Sequence, residues 1–319
     1  MTGPHGPRVV ALGGGHGLAA SLSALRQVTD QLTAVVTVAD DGGSSGRLRR
    51  ELGVLPPGDL RMALAALCDD DDWGRTWSRV VQHRFRSEGG LHEHSMGNLL
   101  IVALWELLGD SVQGLDWVAR LLGAKGRVLP MSVLPLDIEA LVRDPSAPGD
   151  DPSRVRGQVA VATTTGSVVH ISLVPEDPPA CPEAVGAVLD ADWVVLGPGS
   201  WFTSVLPHLL VPDLASALTR TAARRLVNLN LAPQPGETEG FSPEAHLEVL
   251  ASHAPGLALD VVLADPKTVP DVVALEQAAE RLGARLVLAP LGRADGSPRH
   301  DPGLLASAYR DILFGRRSL

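Results

Sequence analysis

Two neighbouring carboxylates, Asp40 and Asp41, end the run Val35-Val36-Thr37-Val38-Ala39 and are followed at once by Gly42, Gly43, Ser44, Ser45 and Gly46. Arg47, Arg49 and Arg50 come next, so the Gly–Ser stretch has acids on one side and bases on the other. Acids at the carboxyl end of a strand in an open α/β sheet can accept from ribose hydroxyls, and one of a pair can help hold Mg2+. Arg47 is the candidate partner for a diphosphate; Arg49 and Arg50 read as a solvated helix face. A local role stays open, because Asp before Gly suits an Asx-turn that would occupy one of the two acids.

Glycine clusters supply the second kind of chemistry. Gly13, Gly14, Gly15 and Gly17 place four glycines in five positions between an apolar run and a helical pattern. Backbone N–H groups there can approach a phosphate at the positive end of a helix. The G-x-G-x-x-G spacing fails, since Leu18 stands third after Gly15, and no Walker lysine follows. Gly197, Pro198, Gly199 and Ser200 repeat the arrangement after Trp193–Leu196, with Thr203 and Ser204 opening the next helix. Thr203 has an N-cap reading as well. Asn230, Gln234, Glu237 and Thr238 follow a further strand on the same edge. Two such mouths in one sheet suggest a ligand lying across adjacent strand ends, as a nucleotide diphosphate would.

Asp59 follows Pro56-Pro57 and reads as a helix N-cap, a role that accounts for it without a ligand. His83, His92, Glu93 and His94 invite a metal reading, but His92 and His94 lack helical i, i+4 spacing and no cysteine joins them. Gly97 and Asn98 open an apolar helix just after His94, and polar groups at such a mouth need partners.

These groups must be positioned by short Val- and Leu-rich runs alternating with helical periodicity, the pattern of a parallel sheet covered on both faces. Strands are expected at Arg8–Leu12, Ala34–Ala39, Trp193–Leu196, Leu226–Leu229, Leu259–Ala264 and Arg285–Ala289. Helices are expected near Leu18–Gln27, Thr203–Leu218, Pro243–His253, Val269–Leu282 and Pro302–Leu313. Residues 59 to 123 read as consecutive helices, with Met96–Leu108 buried all round. Residues 127 to 175 read as short strands, including a hairpin turning at Gly166, and Asp144 to Ser153 read as a surface loop. The expectation is one Rossmann-like, doubly wound α/β domain over 1–319 with a mainly parallel sheet and a helical and small-β insertion at about 59–180.

A chain of 319 residues, 45% apolar, can bury a sizeable core. A formal charge of −10 without a basic block disfavours nucleic acid and anionic membrane surfaces. Cys68 and Cys181 form no CxxC, which fits a reducing compartment. The start lacks a signal-peptide layout, and the apolar stretch Leu99–Leu108 is too short to span a bilayer. A soluble cytoplasmic protein is expected.

The motifs GGGHGL, VTVADDGGSSGRLRRELG, PPGDLR, HSMGNLL, GPGSWFTSVLP, GETEGF and PRHD occur in order from residue 9 to about 301. Together they resemble the YvcK-type gluconeogenesis factor family, relatives of the 2-phospho-L-lactate transferase (CofD) group. The resemblance implies a modified Rossmann-like fold that binds a UDP-sugar such as UDP-N-acetylglucosamine. It also implies a role in cell shape and envelope synthesis under gluconeogenic growth, with envelope-synthesis proteins and a serine/threonine kinase as partners, and homo-oligomers are compatible with it. Matched motif by motif, the implied pocket comprises Gly13, Gly14, Gly15, Asp40, Asp41, Ser44, Asp59, His94, Asn98, Gly197, Gly199, Ser200, Thr203 and Arg299. Arg47 and Asn230 join it from the residue reading. His16 stands where the family usually has threonine. The segment around Lys267 offers no tyrosine to stack on a base, Tyr309 being the only tyrosine.

No nucleophile–base pair is evident, which favours a binding protein without turnover. The alternative is a Mg2+-dependent transferase acting on a nucleotide-linked donor and a deazaflavin acceptor, with Asp40 and Asp41, joined by Asp59, organising the metal and the incoming acceptor hydroxyl. A nicotinamide dehydrogenase is disfavoured by the broken glycine fingerprint.

Overall fold

Val9, Val10, Ala11 and Leu12 are all buried and lie in a strand paired with a parallel neighbour on each side, which places the first apolar run in the interior of the sheet. The structure is a computed structural model and describes residues 6–144, 151–234 and 236–315. Along them the strands are β1 (Val9–Gly13), β2 (Leu32–Val36), β3 (Arg127–Pro130), β4 (Asp137–Arg143), β5 (Ser153–Arg156), β6 (Ser167–Val174), β7 (Trp193–Leu196), β8 (Arg224–Asn228), β9 (Val261–Ala264) and β10 (Arg285–Leu288). The helices are α1 (Gly15–Leu25), α2 (Gly43–Leu52), α3 (Gly58–Ala66), α4 (Asp72–Gln82), α5 (Met96–Leu108), α6 (Ser111–Leu122), α7 (Gln158–Ala162), α8 (Pro182–Asp190), α9 (Pro212–Arg220), α10 (Pro243–His253), α11 (Val272–Arg281) and α12 (Pro302–Leu313).

The main sheet has seven strands in the order β10-β9-β8-β7-β1-β2-β3, every pair parallel. The chain runs outward from β1 through β2 to β3, then returns to β7 on the other side of β1. This is the Rossmann-like reversal of strand order, and its crevice lies outside the carboxyl ends of β1 and β7. Both glycine clusters lie there.

A second, antiparallel sheet of three strands, β5-β4-β6, is inserted between β3 and β7. The strand expectations for residues 127 to 175 divide: β3 joins the main sheet as its edge, and the others form the small sheet. The hairpin expected around Gly166 is not formed, because Gln158–Ala162 is helical and only β6 follows the turn. The cause is Asp41, whose Oδ1 accepts from the Val159 N–H at 3.0 Å and caps that helix from a distant part of the chain. Of the loop expected at Asp144 to Ser153, residues 145–150 lie outside the described residues.

Two helix expectations also change. The stretch Thr203–Leu218 is not one helix but a π-helical turn (Trp201–Val205), a 3-10 turn (Leu206–Leu210) and α9. Pro207 and Pro212 lack the N–H that a continuous helix needs, so each opens a new segment. Helix α5 buries Gly97, Asn98, Ile101, Val102 and Trp105 but leaves Leu107 80% exposed, so its apolar sequence covers one buried face and one open one. Cys68 and Cys181 are buried and unpaired. Among the described residues no helix is long and apolar enough to cross a membrane.

Candidate functional site

At the ends of β1 and β2 a buried carboxylate, Asp59, meets a half-buried one, Asp40. Asp59, in the first turn of α3, accepts from the Gly15 N–H at the start of α1, and Asp40 lies within electrostatic range of it. Burial, reinforced by the charge of Asp40, pushes the Asp59 carboxyl up to about 7. Burial raises Asp40 as well, opposed by hydrogen bonds from the Gly42 N–H and Ser45. Gly14 makes the approach of these groups possible. A Cβ there would stand 2.4 Å from Thr37 Cγ2 and 2.5 Å from Asp59 Oδ2. Asp59 is therefore not the expected cap of its own helix, whose N-cap is Pro57 with no side-chain cap bond; it fills the mouth of a neighbouring helix instead.

Asp40 and Asp41 do different jobs. Asp40 makes the Asx-turn, with its Oδ1 accepting from the Gly42 N–H at 3.0 Å, and still faces Asp59. Asp41 turns toward the insertion and Val159. The Gly–Ser stretch after them is not a loop, since Gly43 to Gly46 form the first turn of α2. Ser45 Oγ accepts from the Gly58 N–H at 2.8 Å and ties α2 to α3. Ser44 Oγ lies 3.0 Å from His94 Nδ1, receives the Asn98 Nδ2 at 3.0 Å and the Ser95 N–H at 3.3 Å. Asn98 Oδ1 in turn accepts from Arg61 Nε at 2.9 Å. Burial, with the nearby charge of Arg47, lowers the His94 pKa. Arg47 is not aimed at a phosphate. Its guanidinium donates to the carbonyls of His92 at 2.5 Å and Gly90 at 3.5 Å, so it braces the loop that presents His94.

Across the crevice, the second glycine mouth already contains an acid. Ser200 and Thr203 hydroxyls donate to Glu237, Thr203 at 3.0 Å, and the Phe202 N–H reaches the same carboxylate at 3.4 Å. Burial raises the Glu237 carboxyl while these donors lower it. Asn230 staples the loop from Gly197 to Ser200: its Oδ1 accepts from the Gly199 N–H at 2.9 Å, and its Nδ2 donates to the Gly199 carbonyl at 2.8 Å. The expectation of a phosphate at this mouth meets a buried like charge in the structure.

Open space lies beside the mouths. A cavity of about 550 Å³ is lined by His16 and Gly17 of α1, Pro198 and Gly199 after β7, Asn230 to Gln234 after β8, and Arg293, Arg299 and His300. A second cavity of about 340 Å³ shares the wall Asn230–Pro233 and is otherwise lined by groups such as Phe241, His246 and Lys267. Gly17 makes the first cavity's floor, because a Cβ there would lie 2.2 Å from the Pro198 carbonyl oxygen. Tyr309 is not placed to stack on a base at either cavity; it is fully buried, with its hydroxyl against Ser21 and Asn228.

A sequence model described as 2-phospho-L-lactate transferase CofD matches residues 9–287. A relative from Mycobacterium tuberculosis, described as a gluconeogenesis factor, is 56% identical over 310 residues, covering 95% of this chain and 90% of the relative. The gluconeogenesis factor of Listeria monocytogenes is 37% identical over 321 residues, with 96% of each covered. The chain belongs to the gluconeogenesis factor family. A crystal structure of a UPF0052 family member from Bacillus halodurans superimposes with a TM-score of 0.85 at 32% identity, covering 96% of this chain and 99% of that one.

In this gluconeogenesis factor family member, the expected residues fall into three groups. Gly13, Gly14, Gly15, Asp40, Asp59, Ser44, His94 and Asn98 come together at the ends of β1 and β2. Gly197, Gly199, Ser200, Thr203 and Asn230 come together after β7, and Arg299 stands on the larger cavity. Asp41 and Arg47 serve the scaffold. Sequence reasoning missed Arg61, Ser45, Arg293 and His300 as residues gathered at these mouths and cavities, and it placed Glu237 only on the edge of the sheet. Arg61 carried a signal, being the one charge inside the apolar turn Leu60 to Leu67. Glu237 was placed on the sheet edge, but its pairing with Ser200 and Thr203 was not readable, since those partners lie more than 30 residues away. Among the described residues no cluster of three or more His, Cys, Asp or Glu side chains could hold a metal ion.

Proposed function

We propose that the chain binds a nucleoside diphosphate sugar of the UDP-N-acetylglucosamine kind and acts through that binding, as a regulator of cell shape and envelope synthesis during gluconeogenic growth. The observation that carries this reading is the pair of cavities sharing the wall Asn230–Pro233. The larger offers exposed Arg293 and Arg299 beside the first turn of α1, chemistry suited to a diphosphate. The smaller is mostly apolar, with Phe241 and Lys267 on its lining, and suits a ring system. Asp40 supplies an acceptor for hydroxyls. Envelope-synthesis proteins and a serine/threonine kinase are the partners this reading calls for, in the cytoplasm, and no nucleic acid or membrane is required. Titration calorimetry with UDP-N-acetylglucosamine tests it; saturable heat is expected, and none at millimolar ligand would remove the reading.

The pairing of half-buried Asp40 with buried Asp59 favours a second reading, a transferase moving a phosphorus-containing group from a nucleotide-linked donor to a deazaflavin acceptor. Mg2+ is usually held by one or two carboxylates together with substrate phosphates. Asp40 and Asp59 fit that requirement, whereas Asp41 does not, being committed to Val159. Mg2+ there would neutralise the two acids and draw a phosphate to the α1 mouth. Mass spectrometry of the acceptor after incubation with donor and Mg2+ decides, and an unchanged acceptor counts against this reading.

A further inference from the structure

The hydrogen-bond chain Arg61–Asn98–Ser44–His94 has only one possible direction. A guanidinium donates and never accepts, so Asn98 must present Oδ1 to Arg61 Nε, at 2.9 Å. That orientation leaves Asn98 Nδ2 to donate to Ser44 Oγ at 3.0 Å. The Ser95 N–H, also only a donor, adds a second bond to the same oxygen at 3.3 Å. Ser44 Oγ now accepts twice and keeps one proton to give. Its remaining partner is His94 Nδ1 at 3.0 Å. Nδ1 therefore accepts, and the neutral ring carries its proton on Nε2.

Nothing in the protein among the described residues takes that Nε2–H, and it is not one of the fully buried atoms left without a partner. Asn98, Ser44 and His94 are 1%, 2% and 7% exposed, so the chain is shielded from competing water along its length. Arg47 holds the carbonyl of His92 two residues away and fixes the loop from the other side.

We propose that His94 is a hydrogen-bond donor of fixed direction, offering Nε2–H to an acceptor atom of the ligand, with Ser44, Asn98 and Arg61 as positioning residues that set its tautomer. The ligand class that follows is one presenting a phosphate, carbonyl or ether oxygen at this point, not a cation or a hydroxyl proton. His94 Nε2 is accordingly not a base and not a metal ligand, which bears on both readings above. On the transferase reading the proton of the incoming hydroxyl goes elsewhere, and Asp40 and Asp59 are the acceptors at hand. The part of the proposal that concerns ligand rests on the nucleoside diphosphate sugar reading; the proton assignment does not.

The full chain with ¹⁵N-labelled histidine tests the assignment without ligand. At pH 7.5 the His94 ring should show a pyridine-type shift at Nδ1 and a pyrrole-type shift at Nε2. In Ser44→Ala the fixed preference should give way to a mixture of tautomers, while the remaining histidines keep their signals. A protonated Nδ1 in the parent overturns the proposal. Use of the donor is read by calorimetry with UDP-N-acetylglucosamine. His94→Gln, whose amide nitrogen can stand where Nε2 stands, should bind within about threefold of the parent, and His94→Asn, whose amide falls near Nδ1, should lose about tenfold or more. Equal losses in both variants, with the folded spectrum retained, overturn the donor role. A parent that does not bind at all refutes the proposed function instead, and the ring spectrum then decides the proton assignment by itself.

Discussion

Asp59 makes one carboxyl answer for three neighbours: it accepts from Gly15, faces Asp40 and lies in range of Arg61. Its pKa is raised from 3.8 to about 7, burial first and Asp40 second. The folded state thus holds a proton that the unfolded chain releases between those values, and stability falls as pH rises through the window. Below it both states are protonated and the group is silent. Asp59→Asn keeps an acceptor for Gly15 and removes the titration. The variant should melt at a higher temperature than the parent at pH 8, by an amount worth a few kcal/mol at most, and the gain should vanish near pH 4. A gain that is independent of pH would show that Asp59 ionises normally. At this scale the sequence was half legible. The place of Asp40 at the carboxyl end of the sheet was readable from the strand before it, but its division of labour with Asp41 depends on Val159, which lies 118 residues from Asp41. Arg47 failed for the same reason: spacing shows a base near a phosphate mouth, not the carbonyls that claim it.

Helix α1 has to meet the loop from Gly197 to Ser200 at backbone distance, and Gly17 is the position that permits it. An added Cβ would lie 2.2 Å from the Pro198 oxygen and 2.4 Å from Gly199 Cα, neither of which can swing aside like a side chain. Gly17→Ala should cost about 1–3 kcal/mol of stability and weaken ligand binding together, because the wall that shifts is shared by the larger cavity. Thermal melts and calorimetry on the same sample check both; a destabilised variant with unchanged affinity would detach the cavity from the site. The strands and the proline-opened helices α10 and α12 were readable from sequence, since local periodicity and a capping Ser or Asp before Pro specify them. The short helix α7 was not, because a cap from Asp41 stabilises a segment whose own five residues read as a strand. Helix α5 looked buried all round from composition, and only the packing of α4 and α6 against it reveals which half faces out.

The larger cavity draws its walls from both ends and the middle of the chain: α1, the segments after β7 and β8, and the stretch Arg293–Pro302. A ligand held there would tie the first third of the sheet to the last, so binding should stabilise the molecule in one transition rather than one lobe at a time. At a hundredfold excess over Kd the linkage is worth about 2.7 kcal/mol, which for a chain of this length is a rise of about 5 °C in Tm. Arg299 separates binding from folding, because its side chain is exposed, and removing it should leave the ligand-free Tm within about 1 °C. Arg299→Ala should therefore melt like the parent without UDP-N-acetylglucosamine and lose most of the rise with it. The same rise with GDP-linked sugars would widen the ligand class to nucleoside diphosphate sugars in general, whereas a full rise in Arg299→Ala would move the diphosphate away from this cavity, toward the Asp40–Asp59 mouth where Mg2+ would be needed to admit it.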